Sequence, residues 1–326
     1  MLSEDIFSIK NSKDFENVAL RVFEYQYTNI PIYQRFCNLL GIGKYTVTSI
    51  ENIPFLPISF FKSHSVVKPE VLTDHIFTSS GTTGSIVSTH HIRDLVIYER
   101  SFNLGFNQFY GDIKEYTILA LLPSYLERTG SSLVYMVDSL IKRSQDSDSG
   151  FYLHDLDALT HKLIALQKTN KKVLLIGVSF ALLDLVAKQT FDLGGNTVIM
   201  ETGGMKGRRK ELIREELHDI LKKGFGVKKI HSEYGMTELL SQAYSHGDGL
   251  FNCPPWMKIQ TRDTEDALTR LSYEKTGGIN IIDLANINSC SFIATQDLGK
   301  LHKDNSFEVL GRFDNSDIRG CNLMAL

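Results

Sequence analysis

The chain has 326 residues, 42% hydrophobic and 22% charged, with a formal net charge of −3 at pH 7. That length holds one large domain or two ordinary ones with an ample core, and the composition is that of an ordinary soluble globular protein. The slight acidity argues against a general nucleic-acid binder, which carries a basic excess. The scattered Cys37, Cys253, Cys290 and Cys321, with no CxxC pair, argue against zinc and a disulfide framework and fit a reducing compartment.

The N-terminus, MLSEDIFSIK, is acidic and lacks the long apolar stretch of a signal peptide. Apolar residues at helical spacing in FENVALRVFEYQYTNIPIYQRFCNLLG predict helix in the first 50 to 60 residues, closed by Gly41. The two prolines of NIPFLPISFFKSH predict extended chain. A helix is expected through RDLVIYERSFNLGFNQF, then a buried strand at YTILALLPS (116–124) and a surface loop at KRSQDSDSG (142–150). Helix 155–168, strand KVLLIGVS, helix 180–189, strand NTVIME (196–201), helix 207–223 and the strand VKKIHSEYG (227–235) follow. Such alternation predicts an α/β fold with a mainly parallel sheet flanked by helices. Beyond residue 250, GGINIIDLA, SCSFIATQDLG and SFEVLGRFD read as a smaller, more antiparallel β portion. The most apolar run, VLLIGVSFALLDLVA (173–187), is too short for a membrane helix, which needs roughly 20 residues, so a cytoplasmic chain without an integral membrane segment is expected.

Two short runs carry candidate chemistry. In SSGTTG (79–84) the backbone amides and the hydroxyls of Ser79, Ser80, Thr82 and Thr83 suit phosphate, and Gly81 and Gly84 allow close approach. A plain surface turn is the competing reading, since the loop is not the GxxxxGK[ST] type and carries no lysine behind its glycines. In SEYGMTE (232–238), Tyr234 offers a ring for stacking, Gly235 a tight turn, Thr237 a hydroxyl for phosphate and Glu238 a carboxylate for Mg²⁺.

Together these runs resemble the adenylate-forming superfamily of acyl- and aryl-CoA ligases and luciferases. The resemblance implies that the hydroxyl-rich loop holds the ATP phosphates and that YGMTE holds the α-phosphate and the metal. TQDLG (295–299) resembles the superfamily's ribose-binding motif, which gives Asp297 that role, and GRFDNSDIRG (311–320), with Arg312, resembles its hinge. Gly203 and Gly204 match the adenine-side turn. The sequence ends six residues past Gly320, where a typical member continues into a lid domain with an adenylation lysine. Such a short form resembles the acyl-protein synthetase (LuxE) family, as do IPFLPISFFKSH and ETGGMKGRRKEL. The implied organisation is a helical segment at 1–50, an adenylate-forming core at 51–310 and a hinge-like tail at 311–326 carrying Cys321, with no lid.

By that resemblance Cys321 accepts the activated acyl group as a thioester. A thiol on a short tail has the freedom to reach an acyl-adenylate, and Arg312 and Arg319 stand nearby in sequence to lower its pKa. Lys206, Arg208, Arg209 and Lys210 fall at the expected start of helix 207–223, where cations oppose the helix dipole. A bound polyphosphate would remove that conflict, and a solvated basic face is the bland alternative. His90 or His91 faces the phosphates or is partly solvated, His231 approaches the acyl carboxylate, and Phe and Leu of 173–187 line an acyl pocket or form ordinary core. The expected cofactors are ATP and Mg²⁺, the substrate a fatty or other carboxylic acid, and the partner an acyl-CoA reductase-like protein. CoA as the acceptor, or a non-catalytic nucleotide-binding subunit, are the competing functions.

Overall fold

The structure is a computed structural model that describes residues 2–69, 72–80, 86–123, 127–203 and 212–312. Its contacts divide the chain into two units: one of Met1–Tyr98, Glu238–Ser241 and Asn252–Leu326, the other of Glu99–Thr237 and Gln242–Phe251.

The first unit opens with helices Ser12–Asn29 and Pro31–Leu39, which Pro31 separates by standing at the first position of the second. Gly41, at φ +71°, supplies the left-handed turn that follows. Both prolines of NIPFLPISFFKSH are accommodated outside regular helix. Leu56–Pro57 pairs parallel with strand Phe292–Leu301, and only then does a short helix, Phe60–Ser63, form. Strands His75–Thr78 and Thr89–Ile92 form a separate antiparallel hairpin around the hydroxyl-rich loop. The expected antiparallel β portion is Met257–Arg262, Thr276–Asp283, Phe292–Leu301 and Phe307–Arg312, each pairing with the next.

The second unit is the parallel α/β part. Strands His231–Tyr234, Thr197–Thr202, Lys172–Val178, Tyr116–Leu121 and Gly150–Phe151 lie side by side in that order, all parallel. Tyr116–Leu121 is buried throughout, as its mainly apolar run requires. From it the chain moves to Gly150–Phe151 on one side and then to Lys172–Val178 on the other, making a topological switch point beside a carboxyl edge that favours ligands. The apolar run 173–187 is core: Leu175, Leu182 and Leu185 are fully buried in a cluster with Leu119, Ile199 and Phe225.

Two boundaries differ from expectation. Helix Ser132–Ser144 extends into the polar patch at 142–150, and its cations Lys142 and Arg143 sit in the last turn, where the helix dipole favours them. The helix expected at 207–223 runs from Arg214 to Phe225, with Glu215 and Glu216 in its first turn. The basic residues Lys206, Arg208, Arg209 and Lys210 precede Arg214 in the sequence and lie outside the described residues. Among the described residues no helix is long and apolar enough to cross a membrane.

Candidate active site

In the first unit the base of the hydroxyl-rich loop is closed by its own serines. The Ser88 amide donates to the Ser79 hydroxyl at 2.9 Å and the Ser79 amide to the Ser88 carbonyl at 3.1 Å. Ser80 continues from this base, while Gly81, Thr82, Thr83 and Gly84 lie outside the described residues.

Glu238 is buried, and burial raises its carboxyl pKa. A hydrogen bond with the Ser88 side chain opposes the rise, as do the positive charges of Arg312 and Lys62. Arg312 Nε donates to the buried Asp297 Oδ1 at 2.9 Å, and Asp297 and Arg312 are direct partners across two antiparallel strands. Ser79, Glu238, Asp297 and Arg312, drawn from four separate motifs, are thus linked through Ser88 and Arg312. Beneath them Arg262 is buried, donating to the carbonyls of Ile279 at 2.8 Å and Thr295 at 2.5 Å; burial lowers its pKa to about 10, against the pull of Asp297.

The segment after Glu238 is held from behind. Asp283, fully buried, accepts from the Leu240 amide at 2.7 Å, the Ser241 amide at 3.1 Å and the Ser241 hydroxyl at 2.5 Å. Burial raises its pKa to about 6 even so.

In the second unit the other motif residues sit at the carboxyl ends of adjacent parallel strands, where Thr202 and Glu233 are register partners. Thr202 leads into Gly203, whose φ of +67° favours glycine, and the Ser179 hydroxyl bonds the Gly203 carbonyl at 3.1 Å. Gly204, Lys206 and Arg208 lie outside the described residues. Tyr234 is buried edge-on to Phe251 with ring centroids 5.9 Å apart, so its ring is part of the core. Gly235 and Thr237 follow it, and the YGMTE run passes from the second unit to the first after Thr237. Glu233 is buried, accepts from the Thr202 hydroxyl and has its pKa raised to about 7, first by burial and then by the charge of Glu201.

His231 lies at the opposite, amino end of its strand. There its Nδ1 and the Tyr110 hydroxyl are 3.3 Å apart, and burial together with His246 and Lys229 lowers its pKa to about 4. His90 is not partly solvated: it is buried, edge-on to Phe61, with Nε2 3.0 Å from Asn286 Oδ1. Cys321 lies outside the described residues. Sequence reading missed Lys62, Asp283 and Asn286. Only Lys62 carried a signal, as the lone lysine in the segment whose prolines place it beside the β portion.

The fold is that of the adenylate-forming enzymes. The structure matches 2-hydroxyisobutyryl-CoA ligase, solved with 2-HIB-AMP and CoA, at a TM-score of 0.68 and 14% identity over 94% of this chain and 70% of that one. It matches ATP-bound MatB from Rhodopseudomonas palustris at a TM-score of 0.53 and 20% identity over 73% of this chain, and spans about half, 47%, of that protein's length. Residues 3–325 match the family described as acyl-protein synthetase, LuxE, and the chain belongs to that family. The long-chain-fatty-acid–luciferin-component ligase of Vibrio harveyi is 25% identical over an alignment of 343 positions, covering 97% of this chain and 89% of that protein.

The residues present fit a phosphate-borne hard cation. No group of three or more His, Cys, Asp or Glu side chains among the described residues forms a dedicated metal cage. A single buried carboxylate such as Glu238 is what Mg²⁺ requires when phosphates and water supply its other ligands.

Proposed function

We propose that the chain activates a carboxylic acid with ATP and passes the acyl group to the thiol of Cys321, acting as an acyl-protein synthetase on a long-chain fatty acid. An oxygen of the carboxylate attacks the α-phosphorus, the bond to the β-phosphate bridge breaks and pyrophosphate leaves. The Cys321 thiolate, having lost its proton, then attacks the acyl carbon; the carbon–oxygen bond to the adenylate breaks and AMP leaves. The observation that carries this reading is the linkage of Glu238, Arg312, Asp297 and the loop base at Ser79 within one unit of an acyl-protein synthetase family member.

Each group has a physical task. Attack of one anion on another is limited by charge repulsion and positioning. Arg312, Lys62 and the loop's amides and hydroxyls offset the phosphate charge, Lys206 and Arg208 add to it, and Asp297 takes the ribose. Mg²⁺ on Glu238 would neutralise the phosphates further. The choice of Cys321 is supported by the other thiols. Burial raises the pKa of Cys37 to about 12 and pushes Cys253 and Cys290 higher still, so none supplies thiolate at neutral pH. These three are unpaired by disulfides, which fits work in the cytoplasm. An acyl-CoA reductase-like protein would take the thioester onward.

The test is pyrophosphate exchange into ATP with a panel of acids of increasing chain length, with and without CoA. The parent should exchange with long-chain acids without CoA and retain acyl label as a hydroxylamine-labile thioester. Cys321→Ser should keep exchange and lose the label, because serine lacks the nucleophilicity at neutral pH. Glu238→Gln should lose exchange while remaining folded. Product that appears only with CoA would replace the protein acceptor by CoA, and no exchange with any acid would overturn adenylation.

A further inference from the structure

We propose that Asn286 is a positioning residue for Glu238, and that the N-terminal helix Ser12–Asn29 supports it from behind through Gln26. The inference rests on the reading of Glu238 as the carboxylate that serves the metal of the nucleotide.

Asn286 is fully buried, and both of its amide protons and its Oδ1 have partners. Nδ2 donates to the Glu238 carbonyl at 2.7 Å and to the Cys290 carbonyl at 3.0 Å. Both protons being used, Oδ1 is the group facing His90 Nε2 at 3.0 Å, so that nitrogen carries the proton and donates. Two residues before His90 stands Ser88, whose side chain bonds the Glu238 carboxyl. The strand leaving the hydroxyl-rich loop thus reaches Glu238 by two routes: Ser88 holds its side chain, and His90 orients the asparagine that holds its backbone.

Asn286 is fixed in turn by Gln26. This glutamine lies on the apolar face of its helix with Val18, Val22 and Phe23, where periodicity calls for a hydrophobic residue. It has no exposed surface. Burying an amide is tolerable only when it is fully hydrogen-bonded, and this one is. Nε2 stands 3.0 Å from the carbonyls of Asn286 and Ile287 and from the Ser291 hydroxyl, and Oε1 accepts from the Ser291 amide at 3.0 Å. The turn carrying Asn286 is therefore pinned to a helix in which the sequence shows no motif. A carboxylate that must meet a small cation with near-ideal geometry needs its backbone fixed, and that is what the Gln26–Asn286–Glu238 series does.

The experiment is calorimetric titration of the full chain with ATP in the presence of Mg²⁺, and with AMP alone, alongside thermal unfolding. Asn286→Ala should weaken Mg·ATP binding by roughly tenfold or more, the scale of one lost buried hydrogen bond, and leave AMP binding as in the parent. His90→Leu should act in the same direction. His90→Gln should restore binding, because its amide can donate to Oδ1 as the imidazole does. Equal weakening of Mg·ATP and AMP would reduce Asn286 to a structural residue and overturn the proposal, as would His90→Gln behaving like His90→Leu. If Asn286→Ala does not fold, the two His90 variants decide alone. A parent that binds Mg·ATP no better than AMP would sink the reading of Glu238 itself. A parent that discriminates, with variants that do so equally well, would sink only the role of Asn286.

Discussion

The two units hold their motif residues by different means. In the second, Gly203, Tyr234 and Gly235 are delivered by the carboxyl ends of neighbouring parallel strands, so the backbone ladder sets their places. In the first, Glu238 and the residues after it are not part of a strand; buried side chains, Asp283, Asn286 and Ser88, fix them one bond at a time. A ladder spreads its load over many equivalent hydrogen bonds. A side-chain clamp concentrates it, so single substitutions should be far more damaging in the first unit than in the second.

The largest effect should come from Asp283→Ala. It takes their acceptor from the amides of Leu240 and Ser241 and from the Ser241 hydroxyl, which keeps its role as acceptor from the Trp256 indole at 3.0 Å, in a dry interior. At about 1–3 kcal/mol for each unsatisfied buried group, chemical denaturation should show a loss of at least about 3 kcal/mol. A loss below 1 kcal/mol would break the comparison. Next comes Glu233→Gln, a second-unit change whose effect should depend on pH. The folded-state pKa of Glu233 is raised to about 7 from a usual 4.5. Stability from its protonated form is thus fully present below pH 4.5 and is lost as pH rises through 7. Glutamine mimics the protonated form, so the parent should lose about 2 kcal/mol relative to the variant between pH 5.5 and 8. Denaturation curves at the two pH values give the answer, and a pH-independent difference would mean that Glu233 ionises normally. The smallest effect should be that of Ser179→Ala. It removes one tie to a Gly203 already placed by its strand. The KM for ATP should rise only a few-fold, consistent with a net hydrogen bond of about 1 kcal/mol, with kcat unchanged. A loss rivalling that of Asp283→Ala would erase the distinction between the units.

The same contrast explains what could be read from the sequence. Strands such as 116–121 and 172–178 are short, mainly apolar runs, and the helix from Leu156 is announced by Asp155 at its N-cap, so local pattern is enough. The helix start at Arg214 was misread because the preceding basic run looks helical, whereas the acidic Glu215 and Glu216 mark the true first turn. Glu238 and Asp297 were legible because each stands in a short pattern with neighbours of matching chemistry. Asp283, Asn286 and Gln26 were not, because their partners lie 43, 48 and 260 residues away. Gln26 even reads as a flaw in its helix until the partner is known. Lys62 falls between: visible as a cation, without a local sign of the carboxylate whose pKa it lowers.

Gly235 also bears on how relatives of this chain can diverge. It needs no left-handed backbone; it is glycine because a Cβ there would stand 2.4 Å from Oε1 of Glu233 and 3.4 Å from Cγ of Gln242. One side chain has grown into the room that another would need. The two positions should therefore vary as a pair: a family member with alanine at the site of Gly235 should carry a residue shorter than glutamate at that of Glu233. In this chain the order of the two exchanges matters, since Glu233→Ser first opens the space that Gly235→Ala then fills, whereas the reverse order passes through a clash.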